Sequence, residues 1–406
     1  MRILILSAYY FPEQVASTYL MTSLNEHLVS NGYNVKFITP KPTRNVNSIN
    51  SKSKHKEVLF EGKLIIKRIW LPKEHNNKIL RALRYLLMNF IYFFIGLFSK
   101  TDVLFSMSTP PTQGILIGLL SKLKRIKSVY NIQDVFPDSL LHSGLTSKNS
   151  IIFKLSKYIE KKTYRYNDKL ILISTDMEKN LRNRINNKSK IHVISNWVDI
   201  NHFTYISRIE NPLFNKYSID KSKFIFLYAG SLGEAQNIDL IIESAEKSKH
   251  LDNVLFLIFG FGNKVNEFSS LVLEKKMANI LIFPAEPYEN ANLVYSMADV
   301  GLVTCKKGFG QTSLPSKTMS ILSTGCPILA SFDNNTELEE IIINYKLGVF
   351  TSADDSDSFI KSIELLYNNR LLVQQFKGNT RNFAVENFSP DIQIEKYIRI
   401  FEDLRR

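Results

Sequence analysis

Short apolar runs alternate along this chain with stretches of helical periodicity. The first run is Ile3–Ser7. A loop containing Pro12 follows, then a stretch of period near 3.6 at Thr18–Asn31, then Gly32 and a second apolar run at Val35–Thr39. Gly32 stands where a helix C-terminus favours a left-handed residue. Further strands are predicted at Val103–Ser106, Ser128–Ile132, Leu170–Ile173 and His192–Ile194, and the polar stretch Thr43–Lys56 reads as a surface loop. A second, similar series begins near Lys223. Its strands are predicted at Phe224–Tyr228, Val254–Phe259, Ile280–Phe283, Val300–Val303 and Pro327–Ala330, and its helices near Ile238–Ser248, Leu293–Met297, Lys317–Ser323 and Thr336–Ile343. The pattern lapses over Asn201–Ser222, where Pro212 interrupts it. Strands alternating with helices predict parallel sheets covered by helices. The expected fold is α/β, with two Rossmann-like doubly wound domains at residues 1–205 and 206–387. The last helix, near Ile392–Leu404, is placed to pack back on the first domain as part of segment 388–406. Two such domains joined by a linker are expected to face a central cleft at the carboxyl ends of their sheets, where ligands bind in these folds.

A length of 406 residues suits two such cores, and 44% apolar content with 12% aromatics suits a globular chain. Ile3-Leu4-Ile5-Leu6 is too short for the apolar core of a signal peptide. No stretch reaches the roughly 18 apolar residues of a spanning helix. The nearest, Tyr85–Phe98, is shorter and is interrupted by Asn89 and Gly96. Cys305 and Cys326 are the only cysteines, without metal-ligand spacing or a disulfide framework, and are expected to be buried thiols in a reducing compartment. Charge changes the picture more. Residues 1–200 hold 31 Lys and Arg against 13 Asp and Glu, a balance of +18, whereas the rest of the chain is −4 within the total of +14. The asymmetry points the first half at an anionic partner: membrane lipid, a lipid-phosphate substrate or nucleic acid. A solvated basic surface is the plainer alternative.

The candidate chemistry lies where strands meet helices. Ala229-Gly230-Ser231-Leu232-Gly233 follows a predicted strand and precedes a helix, so its backbone N–H groups can approach a phosphate. A plain tight turn needs the same glycines. Gly260-Phe261-Gly262 carries the same ambiguity. Neither is GxGxxG, and no GxxxxGK[ST] occurs, which disfavours a classical dinucleotide enzyme or a P-loop NTPase. Ser313-Leu314-Pro315-Ser316-Lys317-Thr318 is more informative. Pro315 suits a helix entry, Ser316 can cap it, and the free N–H groups there attract an anion. Lys317 places a cation where the helix dipole disfavours one, which makes sense if a diphosphate offsets it. Asp134, in Gln133-Asp134-Val135-Phe136-Pro137-Asp138, lies just past a strand and can orient or deprotonate a sugar hydroxyl, and Asp138 can do likewise. Either can instead cap the following helix. His192 and His202 lack partners at metal-ligand spacing and read as structural, and no Asp-x-Asp is placed to hold a metal.

Taken in order, these blocks resemble a family 4 retaining glycosyltransferase of the two-domain GT-B type. The likeness is narrower to the bacterial branch that includes the N-acetyl-L-fucosamine transferases of O-antigen and capsule synthesis. Tyr10-Phe11-Pro12-Glu13 with Gly32-Tyr33-Asn34-Val35 resembles its "FPPE…GHEV", Ser108-Thr109-Pro110-Pro111 its "SPP" turn, and Asp134–Ser139 its "DLWPES". Ile194-Ser195-Asn196-Trp197-Val198-Asp199 is similar to "IPNWVD", and Tyr228–Gly233 with Ala235-Gln236-Asn237 to "YAGNLGxAQG". Leu314–Lys317 is similar to "VPSK", and Gly325–Ala330 to "GRPVLA". The chain departs from the wider family at four positions. Ser231 and Gln236 stand where Arg and Lys usually touch the donor diphosphate, and Thr312 and Ser320 occupy the usual E-x7-E pair. Val15-Ala16-Ser17 replaces the glycines that often approach the reacting sugar.

The resemblance implies a nucleotide-sugar donor, read as UDP-linked, bound by Gly230, Ser231, Gln236, Gly260, Gly262, Ser313, Leu314, Pro315, Ser316 and Thr318. Lys317 and Asp134 would be the catalytic pair, and Glu13 and Asp138 would face the acceptor. No cofactor or metal is implied, the nucleotide-sugar being a substrate. The acceptor would be a polyprenyl-diphosphate-linked saccharide, which puts the enzyme in the cytoplasm, peripheral on the inner face of the plasma membrane. Arg81, Arg84 and Lys100 flank the aromatic-rich run Ile79–Phe98, which reads either as a surface helix dipping into the inner leaflet or as a buried core helix. A GT-B UDP-sugar 2-epimerase shares this outline. A basic nucleic-acid-binding protein is the remote alternative, and no recognised nucleic-acid module is present.

Overall fold

The computed structural model describes residues 1–13, 15–43, 53–75, 77–142, 146–310 and 314–405. Two compact units result: Met1–Ser195 with Gln393–Arg406, and Asn196–Ile392. The division falls ahead of residue 205 because the chain after Asn196 is already tied into the second unit. Val198 and Phe203 belong to its core, Ile206 N–H donates to Ser296 Oγ, and the Arg381 guanidinium reaches the carbonyls of Ile200 and Phe203.

Among the described residues the first unit contains eight strands: β1 Arg2–Leu6, β2 Asn34–Pro40, β3 Lys56–Leu59, β4 Leu64–Ile69, β5 Val103–Met107, β6 Lys127–Ile132, β7 Lys169–Leu172 and β8 Ile191–Val193. They are ordered β3-β4-β2-β1-β5-β6-β7-β8, parallel except for the β3–β4 pair. The central strands are largely apolar because helices cover both faces. Leu4, Ile5, Leu6, Leu104 and Phe105 are fully buried. The β3–β4 hairpin was not expected. Of the predicted loop Thr43–Lys56, residues 44–52 lie outside the described residues, and Lys56 already belongs to β3. The helix Ala16–Ser30 ends in Gly32 at φ +81°, whose N–H bonds to Val29 O. The last helix, Pro390–Asp403, packs on this unit: Tyr397 hydroxyl pairs with Asn131, and Phe401 lies against Phe105 and Tyr33. Burying Tyr397 and Phe401 stabilises this docking by about 1.5–3 kcal/mol each.

The helix Lys78–Phe98 is one continuous element of 21 residues, with Asn77 Oδ1 accepting from the N–H groups of Ile79 and Leu80. Ile79–Phe98 is therefore long and apolar enough to cross a membrane by length and composition, longer than the run read from the sequence. One face, Arg84, Met88 and Tyr92, is nevertheless buried against the sheet.

The second unit contains β9 Phe224–Ser231, β10 Val254–Phe261, β11 Ile280–Pro284, β12 Val300–Thr304, β13 Ile328–Phe332 and β14 Gly348–Ser352, all parallel, in the order β11-β10-β9-β12-β13-β14. Strand order reverses between β9 and β12, and in such sheets the crevice at the carboxyl ends of the strands at that point takes ligands. The β9–β12 ladder pairs only Phe226–Leu227 with Val300–Gly301, so the last residues of β9 run on without β12 beside them. Pro212 does not merely interrupt the pattern. It opens the short helix Pro212–Lys216, capped by Asn211 Oδ1 on Leu213 N–H.

Candidate functional site

At the reversal point of the second sheet, β9 carries Tyr228, Gly230 and Ser231 to its carboxyl end. The helix Ser316–Ser323 points its N-terminus there, with Pro315 at the cap position and no side chain bonded to the free N–H groups. Ser316 is thus the first helical residue and not the cap. Lys317 leaves this first turn and reaches back to β9. Its Nζ lies 3.5 Å from the Tyr228 ring centroid. It also lies 3.4 Å from where a Cβ on Gly230 would be, an ordinary contact distance, and the backbone there, at φ +138°, is one that favours glycine. The stem of Lys317 is half-buried, but its Nζ is enclosed and has no hydrogen-bond partner among the described residues. Desolvation pushes its pKa down from 10.5 to about 7, and Cys305 nearby opposes this weakly. A buried cation held by a π face and by no anion is a group prepared for a negatively charged ligand.

The loop leading into this helix is fixed by a residue the sequence reading missed. Asp333, at the end of β13 and buried, accepts the N–H of Gly308 at 2.8 and 2.9 Å and that of Gly310 at 2.8 Å. The carboxylate thereby anchors the segment just before residues 311–313. A lone Asp after a predicted strand gives no signal of this, because its partners are backbone groups more than twenty positions earlier.

The other donor candidates divide. Ser231 is exposed, and its carbonyl takes the Tyr228 hydroxyl at 2.6 Å. Gln236 is half-buried and its Oε1 accepts Gly233 N–H at 3.0 Å, closing the turn rather than pointing outward. Gly260 and Gly262 have a packing reason: a Cβ at either would meet Leu232, its side chain at 2.6 Å and its carbonyl oxygen at 2.5 Å respectively. Leu314 and Thr318 are buried, Leu314 within the core of the unit, so their side chains face inward and not toward a donor. Pro315 and Ser316 remain at the surface of the crevice. Ser313, like Thr312, lies outside the described residues.

In the first unit, Asp134 follows β6 and lines a small pocket with Pro111, Tyr130, Ile132 and Phe136. Although the residue as a whole is exposed, desolvation of its carboxyl raises that group's pKa above the usual carboxylate value. Two acceptor candidates are committed elsewhere. Glu13 is buried, and its Oε1 accepts Thr43 N–H at 2.9 Å, tying two loops together. Asp138 is half-buried and bonds Arg184, with Lys157 at 3.4 Å. Desolvation raises its carboxyl, but these two cations outweigh that and hold it below the usual range. Arg84 corrects the expected basic flank. It is 4% exposed, and its guanidinium donates to Pro72 O at 2.9 Å and Thr43 Oγ1 at 3.3 Å. Arg81 is half-buried and Lys100 exposed. The opposite face of their helix leaves Ile79, Leu83, Leu86, Phe90, Phe94 and Phe98 in solvent. One face of this helix is therefore core and the other is exposed. Cys305 and Cys326 are buried free thiols, and His202 stacks on Tyr288.

Residues 210–383 match the family described as Glycosyl transferases group 1, and residues 18–202 the family described as Glycosyltransferase Family 4. The chain is similar to the probable glycosyltransferase WbjE of Pseudomonas aeruginosa, 27% identical over 330 residues, 80% of this chain and 81% of that protein. It is 23% identical over 411 residues to the putative colanic acid biosynthesis glycosyl transferase WcaI of Escherichia coli strain K12, 98% of this chain and 99% of that one. Among solved structures it resembles Anabaena Alr3699/HepE in complex with UDP and glucose, with a TM-score of 0.72 at 11% identity, covering 99% of this chain and 100% of that one.

Proposed function

We propose that this chain is a family 4 glycosyltransferase of GT-B fold that moves a sugar from a UDP-linked donor to a lipid-diphosphate-linked saccharide during bacterial surface-polysaccharide assembly. The observation that carries this reading is the Lys317 ammonium, enclosed and unpartnered among the described residues beside Gly230 and the free N-terminus of its helix. A nucleoside diphosphate fits that combination, and the UDP bound by HepE and the colanic acid role in the name of WcaI support the donor and the pathway class. In this reading the bond from C1 of the sugar to the diphosphate oxygen breaks while the acceptor hydroxyl bonds to C1 on the same face. The hydroxyl proton passes to the departing phosphate oxygen, and configuration is retained. Lys317 and the helix N–H groups stabilise the charge that develops on the diphosphate, the part a metal plays elsewhere. Asp134 orients acceptor or donor hydroxyls. N-acetyl-L-fucosamine or another amino sugar is the donor sugar we favour, on the motif resemblance. The apolar face of Ile79–Phe98 would rest on the inner leaflet, where a polyprenyl-linked acceptor is found.

A panel of UDP- and dTDP-sugars assayed with a lipid-diphosphate acceptor tests this, with Lys317→Met and Asp134→Asn alongside. Transfer from one UDP-sugar, lost in both variants, is the expected result. Undiminished transfer by Lys317→Met removes the diphosphate role. An epimeric nucleotide-sugar formed without acceptor identifies the 2-epimerase instead.

A further inference from the structure

Three helices form one layer on the first sheet: Lys78–Phe98, Gln113–Lys124 and Ile151–Tyr166, with Gln113–Lys124 in the middle, packed on both others. The outer surface of such a layer is normally polar. Here all three helices expose large apolar side chains. On the first these run along one stripe, and Phe90 and Phe98 are 63% and 79% exposed. The middle helix adds Leu119 and Leu123. The third adds Ile151, Ile152, Leu155 and Tyr158, with Ile151 84% exposed. The patch is thus not confined to the helix that the sequence points to. Isolated exposed apolar residues mean little, but a stripe continued across three neighbouring helices marks a contact surface.

Charge decides the occupant. The three helices hold ten Lys and Arg and one acidic residue, Glu160, which is buried. Glu160 is bound to Lys157 and Arg184, so it neutralises nothing on the outside. Lys154, Lys161 and Arg165 are exposed on the third helix without a carboxylate partner among the described residues. A second copy of this chain would bring the same excess of positive charge face to face. An anionic lipid surface offers apolar depth and negative headgroups together. Direction agrees: helices that return between parallel strands run against them, so Ile79, Ile151 and Ile152 begin at the sheet end where Asp134 lies.

We propose that Ile151–Tyr166 is a second membrane anchor, and that the chain docks on anionic bilayers through a three-helix footprint whose apolar tips flank the Asp134 end of the sheet. This rests on the membrane contact proposed above for Ile79–Phe98 and extends it. Flotation with vesicles of phosphatidylcholine, alone or with about one third phosphatidylglycerol, tests it on the full chain. The wild type is expected to float with the anionic vesicles and to lose binding in high salt. The triple variant Ile151→Ser, Ile152→Ser, Leu155→Ser is expected to lower partitioning at least tenfold, as is Leu83→Ser with Phe90→Ser. Lys154→Glu with Lys161→Glu should abolish the preference for phosphatidylglycerol. All these positions are exposed, and an unchanged circular dichroism spectrum and urea-unfolding profile of the full chain control for folding. Wild-type flotation by the triple variant, with loss in Leu83→Ser/Phe90→Ser, overturns the second anchor and spares the single-helix contact. Failure of the wild type to float overturns both. Self-association that disappears in the triple variant, without vesicle binding, assigns the patch to a second copy and also overturns the proposal.

Discussion

If Lys317 meets the donor diphosphate as a cation, donor affinity must depend on pH in a calculable way. The perturbation is a change of pH from 6 to 8.5 across a group whose pKa burial has lowered to about 7. In the free protein the charged fraction then falls from about 90% to about 3%, since each pH unit above the pKa removes it about tenfold. A diphosphate beside the ammonium favours the charged form and raises the pKa, so binding takes up a proton across this window. Dissociation constants should accordingly rise about 30-fold between pH 6 and 8.5, or about 2 kcal/mol. The assay is calorimetric titration with a UDP-sugar, whose diphosphate diester has no proton of its own to lose in this range. Repeating it in buffers of different ionisation enthalpy counts the proton taken up. Lys317→Met should bind at least tenfold more weakly at pH 6, little more weakly at pH 8.5, and without the slope. A flat wild-type profile, or the same slope in Lys317→Met, refutes the reasoning.

Asp333→Asn keeps the shape but replaces an oxygen that accepts backbone N–H by an amide that opposes one. It should raise the donor KM about tenfold with a smaller effect on kcat and cost about 1–3 kcal/mol in urea unfolding. Gly230→Ala introduces a Cβ at φ +138° against the Lys317 ammonium and should weaken UDP-sugar binding and cost about 1–3 kcal/mol of stability. Gly378→Ala, in a helix with open space around it, should leave both unchanged or slightly improved. Asp134→Asn should reduce transfer about 100-fold or more while leaving UDP-sugar affinity intact, as a mixed loss of both would argue for a structural role. Arg381→Ala leaves the carbonyls of Ile200, Phe203 and Ser323 without their shared donor and should lower stability by about 3 kcal/mol, measured by denaturant midpoint.

The strands that build the two sheets are legible because a strand covered on both faces is apolar at every position, as in Ile3–Leu6 or Phe224–Tyr228. Those that escape notice break that rule for a physical reason. β4 reads Leu64-Ile65-Ile66-Lys67-Arg68-Ile69, and its Arg68 is fully buried because Glu57 on β3 pairs with it across the hairpin. A charge inside a strand looks like a loop until its partner is known. Arg84 and Glu13 err in the opposite direction. Both look like surface charges, and both are buried by backbone groups at Pro72 and Thr43 that no local pattern connects to them. The donor motif was readable as a helix entry with a misplaced cation, but not its support. Tyr228 lies 89 residues before Lys317, and only the fold puts its ring under the ammonium.

The four positions where the chain departs from the family pattern it resembles give that ammonium a further consequence. With Ser231 and Gln236 in place of cations and Ser320 in place of a carboxylate, Lys317 has neither helpers nor an anionic partner among the described residues. Its pKa is near 10.5 in the unfolded chain and about 7 in the folded one. Between those values the unfolded chain holds a proton that the folded one has released, so stability contributed by this site rises as pH rises from about 7 toward 10.5 and is lowest below about 7. Donor affinity runs the other way, strongest where the ammonium is charged. The folded protein is therefore least comfortable in the protonation state that binds best, and the diphosphate relieves the cost by supplying the missing anion. A site that had evolved for packing alone would replace Lys317 with an apolar residue and gain stability at every pH in that range. An enclosed lysine with no partner among the described residues is more economically explained by a ligand that completes it than by the fold it destabilises.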